Sequence, residues 1–487
     1  MWLFFTDFMP TWTIGVMYGI EVISVLAMIF LERKNPRSVL IWTLLFLLDP
    51  FISFALYIFF GKGPTMNRIK WAKNKKITDE RIRTSLKHGE FKKVDIESIR
   101  VKELINLNES MNFPCTIYNK VEFFVDAHEM YDRQIEDILN AKSSINMSYY
   151  LFKNDEAGRR FISTLTKKAK EGVQVNLMYD SAANRYHFSK KLFKPLIEAG
   201  GHVEAFFSTR LVIVNLNNNY RNHRKITVID DKISYVGGMN IGVDYLGEDK
   251  RIKPWRDTSI RIEGEATSFL FLRFLQDFCA NNKNFNNELF ENIISNNKVQ
   301  RFNVDNISPI QVVSSGPDTP SEEIKYNYIK MLSLAKNEVY IETPYYIPDD
   351  SFYDAILMAQ SSGVQVHLII PGVYDHKMVY YVTISNLEPL LRAGVKVYLY
   401  NGFIHAKMMV ADDIIASVGS ANFDIRSFEL NFEVNAILYG KEEVSKAKEI
   451  ALKDIENSKE VTLAKFESRS RFEKIKERFF SLFSQIM

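Results

Sequence analysis

The chain has 487 residues, with 62 lysines and arginines against 59 aspartates and glutamates, and its formal net charge is +3. This length is too great for one hydrophobic core and predicts two or three domains, while so small a net charge gives no electrostatic reason to expect a nucleic-acid partner. The two cysteines, Cys115 and Cys279, exclude a disulfide framework, and no cluster of cysteines and histidines in the sequence suggests a metal site. We therefore expect no metal ion and no other cofactor.

Residues 1–62 are far more apolar than the rest of the chain. Two apolar stretches, 11–31 and 39–60, have about 20 residues each, enough to cross a hydrocarbon layer of ~30 Å as a helix. A polar turn that contains Pro36 separates them, and no basic beginning or cleavage site indicates a signal peptide. We predict a transmembrane helical hairpin that stays attached, and the alternative is a buried hairpin of a soluble domain. Basic residues both in the turn and after it leave open which side holds the remainder.

Charged segments follow the hairpin and end the chain. Residues 63–115 mix lysine with glutamate, which predicts a helical juxtamembrane linker that either lies on anionic headgroups or is solvated. Residues 467–487 predict an amphipathic helix with basic residues around its start. Its apolar face comprises Phe472, Ile475, Phe479, Phe483 and Ile486. This helix either presses into a lipid surface or packs on the folded core.

The middle of the chain is an internal repeat. The pattern of "YDRQIEDILNAKSSINMSYYLF" returns in "EIKYNYIKMLSLAKNEVYIETPYYI", and a Val-Gln-Val strand follows a glycine at Gly172 and again at Gly363. Helices that alternate with strands across short glycine turns predict an α/β unit with a largely parallel sheet. We expect a first half at residues 116–300 and a second half at residues 301–466.

One short motif occurs once in each half with identical spacing, His-x-Lys-x4-Asp-x6-Gly-[Gly/Ser]-x-Asn. The first copy contains His223, Lys225, Asp230 and Asn240, and the second contains His405, Lys407, Asp412 and Asn422. A single His-x-Lys would carry little weight, but two copies that match at five positions are a strong signal. If these were solvated residues on two surface strands, the duplication would have no explanation.

The motif residues suit chemistry on a phosphate. The apolar and β-branched residues around each Lys predict a strand, so His and Lys, two residues apart, point to the same face. An imidazole serves as nucleophile or proton carrier, a lysine binds a phosphate oxygen, and an asparagine adds an amide donor. Two copies facing each other would place two histidines about one phosphorus. Asp230 and Asp412 belong to the candidate catalytic motif, but the opposite strand face favours a structural role for both.

The paired motifs resemble those of the phospholipase D superfamily. The segments "NYRNHRKITVIDDKISYVGGMNIGVDYLG" and "GSANFDIRSFELNFE" are similar to bacterial cardiolipin synthases, and the similarity covers nearly the whole chain. The resemblance implies two pseudo-symmetric α/β/α halves whose motifs meet at their interface. It also implies that His223 attacks phosphorus to form a phosphohistidine and that His405 is the general acid and then the base, a choice that the motifs alone leave open. The phosphoryl oxygens would be held by Lys225, Lys407, Asn240 and Asn422.

The resemblance implies a function and a location. The expected reaction moves a phosphatidyl group from one phosphatidylglycerol to another and releases glycerol, in a multi-pass protein of the bacterial cell membrane. Phosphatidylglycerol, other anionic phospholipids and the bilayer are the expected partners, nucleic acid is not, and an oligomer is possible. The alternative is hydrolysis or headgroup exchange on other phospholipids with the same residues. A nuclease or a catalytically silent membrane scaffold has less support, because the charge is nearly balanced and both motifs are intact.

Carboxylates that hold the histidine rings are also implied by the resemblance. Asp257 and Glu433 match the orienting acids of the family and follow the histidine of their own half by 34 and 28 residues. The sequence departs from the family at Ser259, where these synthases commonly have histidine, which puts headgroup contacts in doubt. Several residues remain open between the cleft and the core or surface, namely Tyr149, Tyr150, Tyr345, Tyr346 and His376.

Overall fold

The computed structural model describes most of the chain after residue 97. The described ranges are 36–49, 66–85, 98–184, 190–207, 220–248, 252–281 and 307–481, together with 52–53, 56–57, 293 and single positions between 10 and 26. The chain divides into two compact units, one made of residues 1–73 and 207–220 and the other of residues 74–206 and 221–487. Both sequence motifs lie in the second unit.

The first unit contains the α-helix α1 (Pro36–Leu48), whose 13 residues begin at the proline of the predicted turn. Its Trp42 ring meets the Tyr57 ring edge to face, with 5.1 Å between centroids. Within the described ranges, every helix is too short or too polar to cross a bilayer. Most of the predicted hairpin lies outside the described residues, so that part of the prediction stays a prediction.

Further helices follow α1 along the chain. They are, in order, α2 (Met66–Ser85), α3 (Ile99–Ser110), α4 (Ala127–Asn140), α5 (Glu156–Lys170), α6 (Lys190–Glu198), α7 (Ala266–Asn281), α8 (Glu323–Leu334), α9 (Asp350–Ser361), α10 (Lys377–Ser385), α11 (Leu387–Arg392), α12 (Ile425–Glu429), α13 (Lys441–Glu456), α14 (Leu463–Glu467) and α15 (Arg471–Ser481). Aspartates cap three of the helices before central strands: Asp126 accepts a hydrogen bond from the His128 N–H, Asp155 from Gly158 and Asp349 from Phe352.

The strands of the first half are β1 (Thr116–Phe124), β2 (Ser144–Tyr149), β3 (Gln174–Asp180), β4 (His202–Phe206), β5 (Arg221–Asn222), β6 (Ile226–Ile229), β7 (Ile233–Gly237), β8 (Trp255–Arg256) and β9 (Ser259–Gly264). Those of the second half are β10 (Ile307–Ser315), β11 (Glu338–Glu342), β12 (Tyr346–Ile347), β13 (Gln365–Pro371), β14 (Lys396–Tyr400), β15 (Phe403–Ile404), β16 (Met408–Ala411), β17 (Ile415–Gly419), β18 (Phe423–Asp424), β19 (Asn431–Leu438) and β20 (Ser458–Val461). The strands that form the main sheet repeat in order between the halves, and the second half adds β12 between β11 and β13 and β20 at its end.

One sheet runs through both halves and repeats its strand order about its centre. From the central antiparallel pair β1–β10, the first half continues β9-β7-β6-β2-β3-β4 and the second continues β19-β17-β16-β11-β13-β14, with β20 added at the edge. This duplication confirms the predicted mixed α/β fold with two similar halves.

The prediction of a largely parallel sheet is wrong. Parallel pairing in the main ladder is confined to β2–β3–β4 and β11–β13–β14, and the other neighbours along the order are antiparallel. The reason is the short connections within each motif: β6 and β7 are joined by a turn at residues 230–232, and such a turn permits only antiparallel strands. Parallel pairing occurs where a helix makes the crossover.

Helices cover both faces of the sheet. In the first half α4, α5 and α6 pack their apolar faces on β2 and β3, while α7 contacts the opposite side. In the second half α8, α9 and α11 share a core with α3, which lies in the predicted linker. Val101, Leu104 and Ile105 of α3 are buried there, and the Asn108 amide donates to Asn327 at 2.9 Å. Residues 99–110 are therefore part of the folded core.

Candidate active site

Each motif begins in an extended segment between two strands. His223 and Lys225 lie between β5 and β6, and His405 and Lys407 lie between β15 and β16, so the regular strand begins just after the lysine. The Lys225 ammonium donates to the carbonyl of His223 at 2.7 Å, and Lys407 makes the equivalent bond to the carbonyl of His405. Each lysine is thus folded back toward its own histidine.

Two short parallel ladders join each histidine segment to the opposite half. β5 pairs with β19, where Asn222 faces Phe432, and β15 pairs with β8. The His223 N–H donates to the Phe432 carbonyl at 3.0 Å, and the His405 N–H donates to the Arg256 carbonyl at 2.6 Å. The next residue on each facing strand is therefore brought beside a histidine of the other half.

Those next residues are the two predicted acids, and they are exchanged between the halves. The His223 Nδ1 lies 2.9 Å and 3.1 Å from the two carboxylate oxygens of Glu433, and the His405 Nδ1 lies 2.6 Å from Asp257 Oδ2. Counting along the sequence assigned each acid to the histidine of its own half, and that pairing is wrong. The cause is the parallel ladder across the interface, which the spacing within one half does not encode.

Glu433 is buried and surrounded by hydrogen-bond donors. Its carboxylate accepts from Ser420 Oγ at 2.5 Å, from Ser427 Oγ at 3.0 Å and from the Asn431 amide at 3.3 Å. Burial pushes the pKa of Glu433 upward, but the neighbouring His223, Lys225 and the Ser420 hydroxyl outweigh it and hold the pKa below its usual value. This carboxylate is thus stabilised as an anion.

Asp257 has a sparser environment. Its Oδ1 accepts the Thr258 N–H at 2.7 Å, and a Cβ on Gly238 would lie only 2.0 Å from the same oxygen. Gly238 occupies the motif position that Ser420 holds in the second copy. The Gly/Ser position of the motif therefore lies beside an acid in both copies. Gly238 leaves room for the Asp257 carboxylate, and the Ser420 hydroxyl donates a hydrogen bond to Glu433.

The two imidazoles differ in what their Nδ1 atoms contact. The His223 Nδ1 meets only the carboxylate of Glu433 among the described residues, so it carries a hydrogen, donates, and leaves Nε2 with a free lone pair. The His405 Nδ1 lies near Asp257 and also 3.0 Å from the Lys407 ammonium. It donates to the acid when protonated and accepts from the lysine when it is not.

Burial governs the electrostatics of the site. Burial first, and then the lysine ammoniums, lower the pKa of His223 to about 4 and that of His405 to about 3, against the pull of their acids. Burial likewise lowers the pKa of Lys407 to about 8 and holds the pKa of Lys225 well below its ordinary value. An anion between the lysines would raise the pKa values of both, so a bound phosphodiester would strengthen the positive charge of the site.

Both histidines line one cavity of about 480 Å³. Both motif asparagines, Asn240 and Asn422, line it as well, so the structure brings the two motif copies to a single site. Tyr150 and Tyr345 face this cavity, whereas Tyr149 and Tyr346 are buried in the core. Three aromatic rings surround His405 within 6.0 Å between centroids, those of Tyr245, Trp255 and Phe403, and His376 lies on the rim.

Asp230 and Asp412 do not line the cavity. Each begins a turn with a left-handed backbone, at φ 52° and φ 49°, and its carboxylate accepts backbone N–H groups that lead into a central strand. Asp230 bonds residues 142–144, and Asp412 bonds residues 336–338. These contacts assign both aspartates to holding the motif hairpin against the sheet. Ser259 is likewise outside the cavity lining, with its Oγ 3.3 Å from the Met239 N–H.

Sequence reasoning did not single out the groups that support the site. Ser427 and Asn431 hold Glu433, and Arg224, between His223 and Lys225, is fully buried with its guanidinium 2.6 Å from Asp277. Of these three residues, only Arg224 could have been noticed in the sequence, since it is a charged residue that interrupts an apolar strand pattern. Within the described ranges, three or more potential metal ligands do not come together anywhere.

Comparisons with known proteins agree with this architecture. A sequence profile described as "Cardiolipin synthase, PLD-like domain" matches residues 134–250 and 328–455, one segment in each half. A cardiolipin synthase of Staphylococcus aureus strain Mu50 is 40% identical over 480 residues, which cover 96% of this chain and 95% of that protein. A cardiolipin synthase of Clostridium perfringens strain SM101 is 41% identical over 463 residues, or 94% and 96% of the two chains.

A solved structure shares the fold at low sequence identity. The phosphatidylserine synthase of Haemophilus influenzae Rd KW20 superimposes with a TM-score of 0.59 at 17% identity, and the match covers 79% of this chain and 98% of that one. The likeness supports the two-half fold alone. The profile and the near full-length relatives show the family: the chain belongs to the cardiolipin synthase family of the phospholipase D superfamily.

Proposed function

We propose that the protein is a phosphatidyltransferase that makes cardiolipin from two molecules of phosphatidylglycerol. The observation that carries this proposal is the pair of buried histidines in one cavity, each with its Nδ1 against a carboxylate of the other half. Two lysines whose ammonium groups are poorly solvated accompany them. Such a site is arranged for one phosphodiester with an attacking nitrogen on one side and a proton donor on the other.

In the first step His223 attacks the donor phosphorus. The Nε2–P bond forms while the bond from phosphorus to the glycerol oxygen breaks, and His405 gives its proton to that oxygen, so glycerol leaves as an alcohol. The fixed Nδ1–H of His223 supports the assignment of the nucleophile, because it leaves Nε2 unprotonated. Lys225, Lys407 and the amides of Asn240 and Asn422 stabilise the charge on the phosphoryl oxygens.

In the second step the acceptor phosphatidylglycerol takes the place of glycerol. His405 removes a proton from the acceptor hydroxyl, the new O–P bond forms, and the bond from phosphorus to His223 breaks. The proton is exchanged at Nε2 of His405, because its Nδ1 faces Asp257, and that carboxylate accepts from the Nδ1–H both before and after the transfer. Burial lowers the pKa of His405 to about 3, and a phosphodiester anion beside the ring would raise that pKa toward the working range.

The lipid substrate accounts for the apolar N-terminus. We propose that residues 1–62 form the membrane hairpin expected from their two apolar stretches, with phosphatidylglycerol and other anionic phospholipids as the molecules that the site meets. A covalent intermediate allows a lipid alcohol to compete with water when the cavity excludes water. Tethering the site to the bilayer raises the local concentration of that alcohol.

The test is product analysis by mass spectrometry with purified full-length protein in phosphatidylglycerol vesicles. Cardiolipin and free glycerol, both absent with His223→Ala, are the expected result. Phosphatidic acid in place of cardiolipin would mean that water resolves the intermediate and that the protein is a hydrolase. Cardiolipin formed at the wild-type rate by His223→Ala would contradict the mechanism.

A further inference from the structure

The C-terminal helix α15 has a packed face and an opposite, open face. Its packed face lies on α10, where the Phe480 ring stacks on Tyr381 at 5.3 Å between centroids, and Glu477 is buried with Arg469 as its partner. With 3.6 residues per turn, residues 472, 475 and 479 lie on the other side of the helix. This open face, which we call the apolar ridge, consists of Phe472, Ile475 and Phe479.

The apolar ridge is strongly exposed. Its three side chains are 65%, 63% and 55% exposed, in chain order, and they form one continuous row. Contiguous large apolar side chains on a surface mark a binding face rather than ordinary solvent contact. Tyr374, just before α10, and Met378, in its first turn, are exposed too, and their neighbours His376 and Val379 line the catalytic cavity. The helix that supports the ridge therefore also forms part of the cavity rim.

The charges around the ridge are mainly positive. The two acids of α15 are engaged in contacts within the folded chain: Glu473 accepts a hydrogen bond from the Ser470 N–H at the helix start, and Glu477 is paired with Arg469 at the packed face. The Lys476 ammonium lies 4.2 Å from the centre of the Phe472 ring. The cations on this helix are Arg471, Lys474, Lys476 and Arg478. An apolar row flanked by cations matches a surface of anionic phospholipids, with acyl chains beneath phosphate groups.

We propose that the apolar ridge docks the catalytic unit onto an anionic phospholipid surface, with the rim of the cavity at that surface. A second copy of the chain fits less well, because ridge-to-ridge contact would bring both sets of cations together. The proposal rests on the proposed function only in that phospholipid is the substrate. Docking by α15 would let a lipid enter the cavity beside α10 without leaving the bilayer environment.

Depth measurements on the full chain test the docking. Phe479→Cys carries a bimane label, and Met358→Cys, an apolar position 69% exposed on α9, is the matched control. The native Cys115 and Cys279 are buried, so only the added thiol is labelled. In vesicles containing brominated phosphatidylglycerol, the label at 479 should be quenched and the label at 358 should not. Equal quenching at both positions, or none at 479, would overturn the proposal. It would also be overturned if the fluorescence of the label at 479 changed in detergent without vesicles at high protein concentration, because a second copy of the chain would then be the occupant of the ridge.

Turnover provides the second test. The triple variant Phe472→Ser, Ile475→Ser, Phe479→Ser should lose about tenfold in rate on vesicles and keep its rate on monomeric short-chain phosphatidylglycerol, while Met358→Ser should keep both. Equal losses on the two substrates would assign the ridge to folding and overturn the docking. If wild-type protein turned over neither substrate, the proposed function would fail, and the quenching result would still decide whether the ridge meets lipid.

Discussion

The two histidine sites share a motif but differ in their surroundings. Glu433, beside His223, receives three side-chain hydrogen bonds, and its two oxygens both face the ring. Asp257, beside His405, receives one backbone hydrogen bond, and Lys407 contacts the same histidine nitrogen as Asp257 does. Aromatic rings, among them that of Trp255, surround His405. The difference teaches that an identical His-x-Lys spacing does not fix a role. The neighbours of each ring, which are the acid of the opposite half and the lysine of its own motif, decide which contacts the imidazole makes.

Removing either histidine gives the largest expected effect. His223→Ala should lower cardiolipin formation by about 10⁴-fold or more, because the nucleophile is lost. His405→Ala should cost about 10² to 10⁴-fold, since only proton transfer is lost. Initial rates on phosphatidylglycerol in mixed micelles, with thermal melting to verify folding, measure both. A smaller loss for His223→Ala than for His405→Ala would reverse the assignment of roles.

Replacing each of the two acids should give a clearer difference in rate between the two sites than replacing each of the two histidines. Glu433→Gln should reduce the rate by about 10⁴-fold, because the amide no longer fixes the His223 tautomer. Asp257→Asn should reduce it by about 10²-fold, since His405 keeps its contact with Lys407. Rates at saturating substrate for the two isosteric variants make the comparison. Equal losses would show that the extra hydrogen bonds around Glu433 do not matter for catalysis.

The buried arginines behind the two sites should differ in how much each contributes to the free energy of unfolding. Arg256 is the partner of Asp454 at 2.7 Å and lies 3.7 Å from Glu342, so Arg256→Met should lower the free energy of unfolding by about 3–5 kcal/mol. Arg224→Met should cost less, about 1–3 kcal/mol, because its partner Asp277 retains Arg273 at 2.5 Å.

Urea denaturation of the detergent-solubilised protein checks this pair of variants. A matched control is Arg392→Met, whose surface ion pair with Glu388 is exposed on both sides and should contribute little. A larger loss with Arg224→Met than with Arg256→Met would contradict the comparison.

Acid should destabilise the protein through both histidines. Their pKa values in the folded state, about 4 and about 3, lie below the ordinary 6.5, so the unfolded chain binds more protons and stability falls as pH drops through 6.5 toward those values. Between pH 7 and pH 5 each histidine should account for about 2 kcal/mol of that loss. Denaturation curves at both pH values should show a smaller acid loss for His223→Gln and for His405→Gln. An acid loss equal to that of the wild type would mean that these imidazoles do not resist protonation.

The sequence predicted what is local and repeated. The two motifs and the two halves follow from the repeated spacing, whereas the identities of Asp257 and Glu433 follow from the resemblance, since the acids lie 34 and 28 residues after the histidines. The partners of the two acids could not be predicted, since they depend on parallel ladders between Asn222 and Phe432 and between Ile404 and Arg256 that join distant parts of the chain. The antiparallel pairing of most strands was missed for a related reason. Helix–strand alternation correctly describes the parallel strands β2 to β4, but the two strands of each motif hairpin pair antiparallel.

The supporting residues were missed because their roles are set by tertiary contacts. Ser427 and Asn431 are ordinary polar residues only six and two residues from Glu433, and they support the site only because Glu433 itself meets His223 across the interface between the halves. The segment at residues 99–110 looks like a charged linker because its exposed face is charged, while Val101, Leu104 and Ile105 are buried in the second half. A periodicity of three to four residues in that segment was the signal available.

The covalent intermediate tests the central claim most directly. Full-length protein is mixed with phosphatidylglycerol, denatured within seconds in alkali, which preserves a phosphorus–nitrogen bond, and mapped by peptide mass spectrometry. We predict a phosphatidyl adduct on His223 of the wild-type protein and slower formation of it in His405→Ala, because His405 protonates the departing glycerol. An adduct on His405 with His223 unmodified would contradict it.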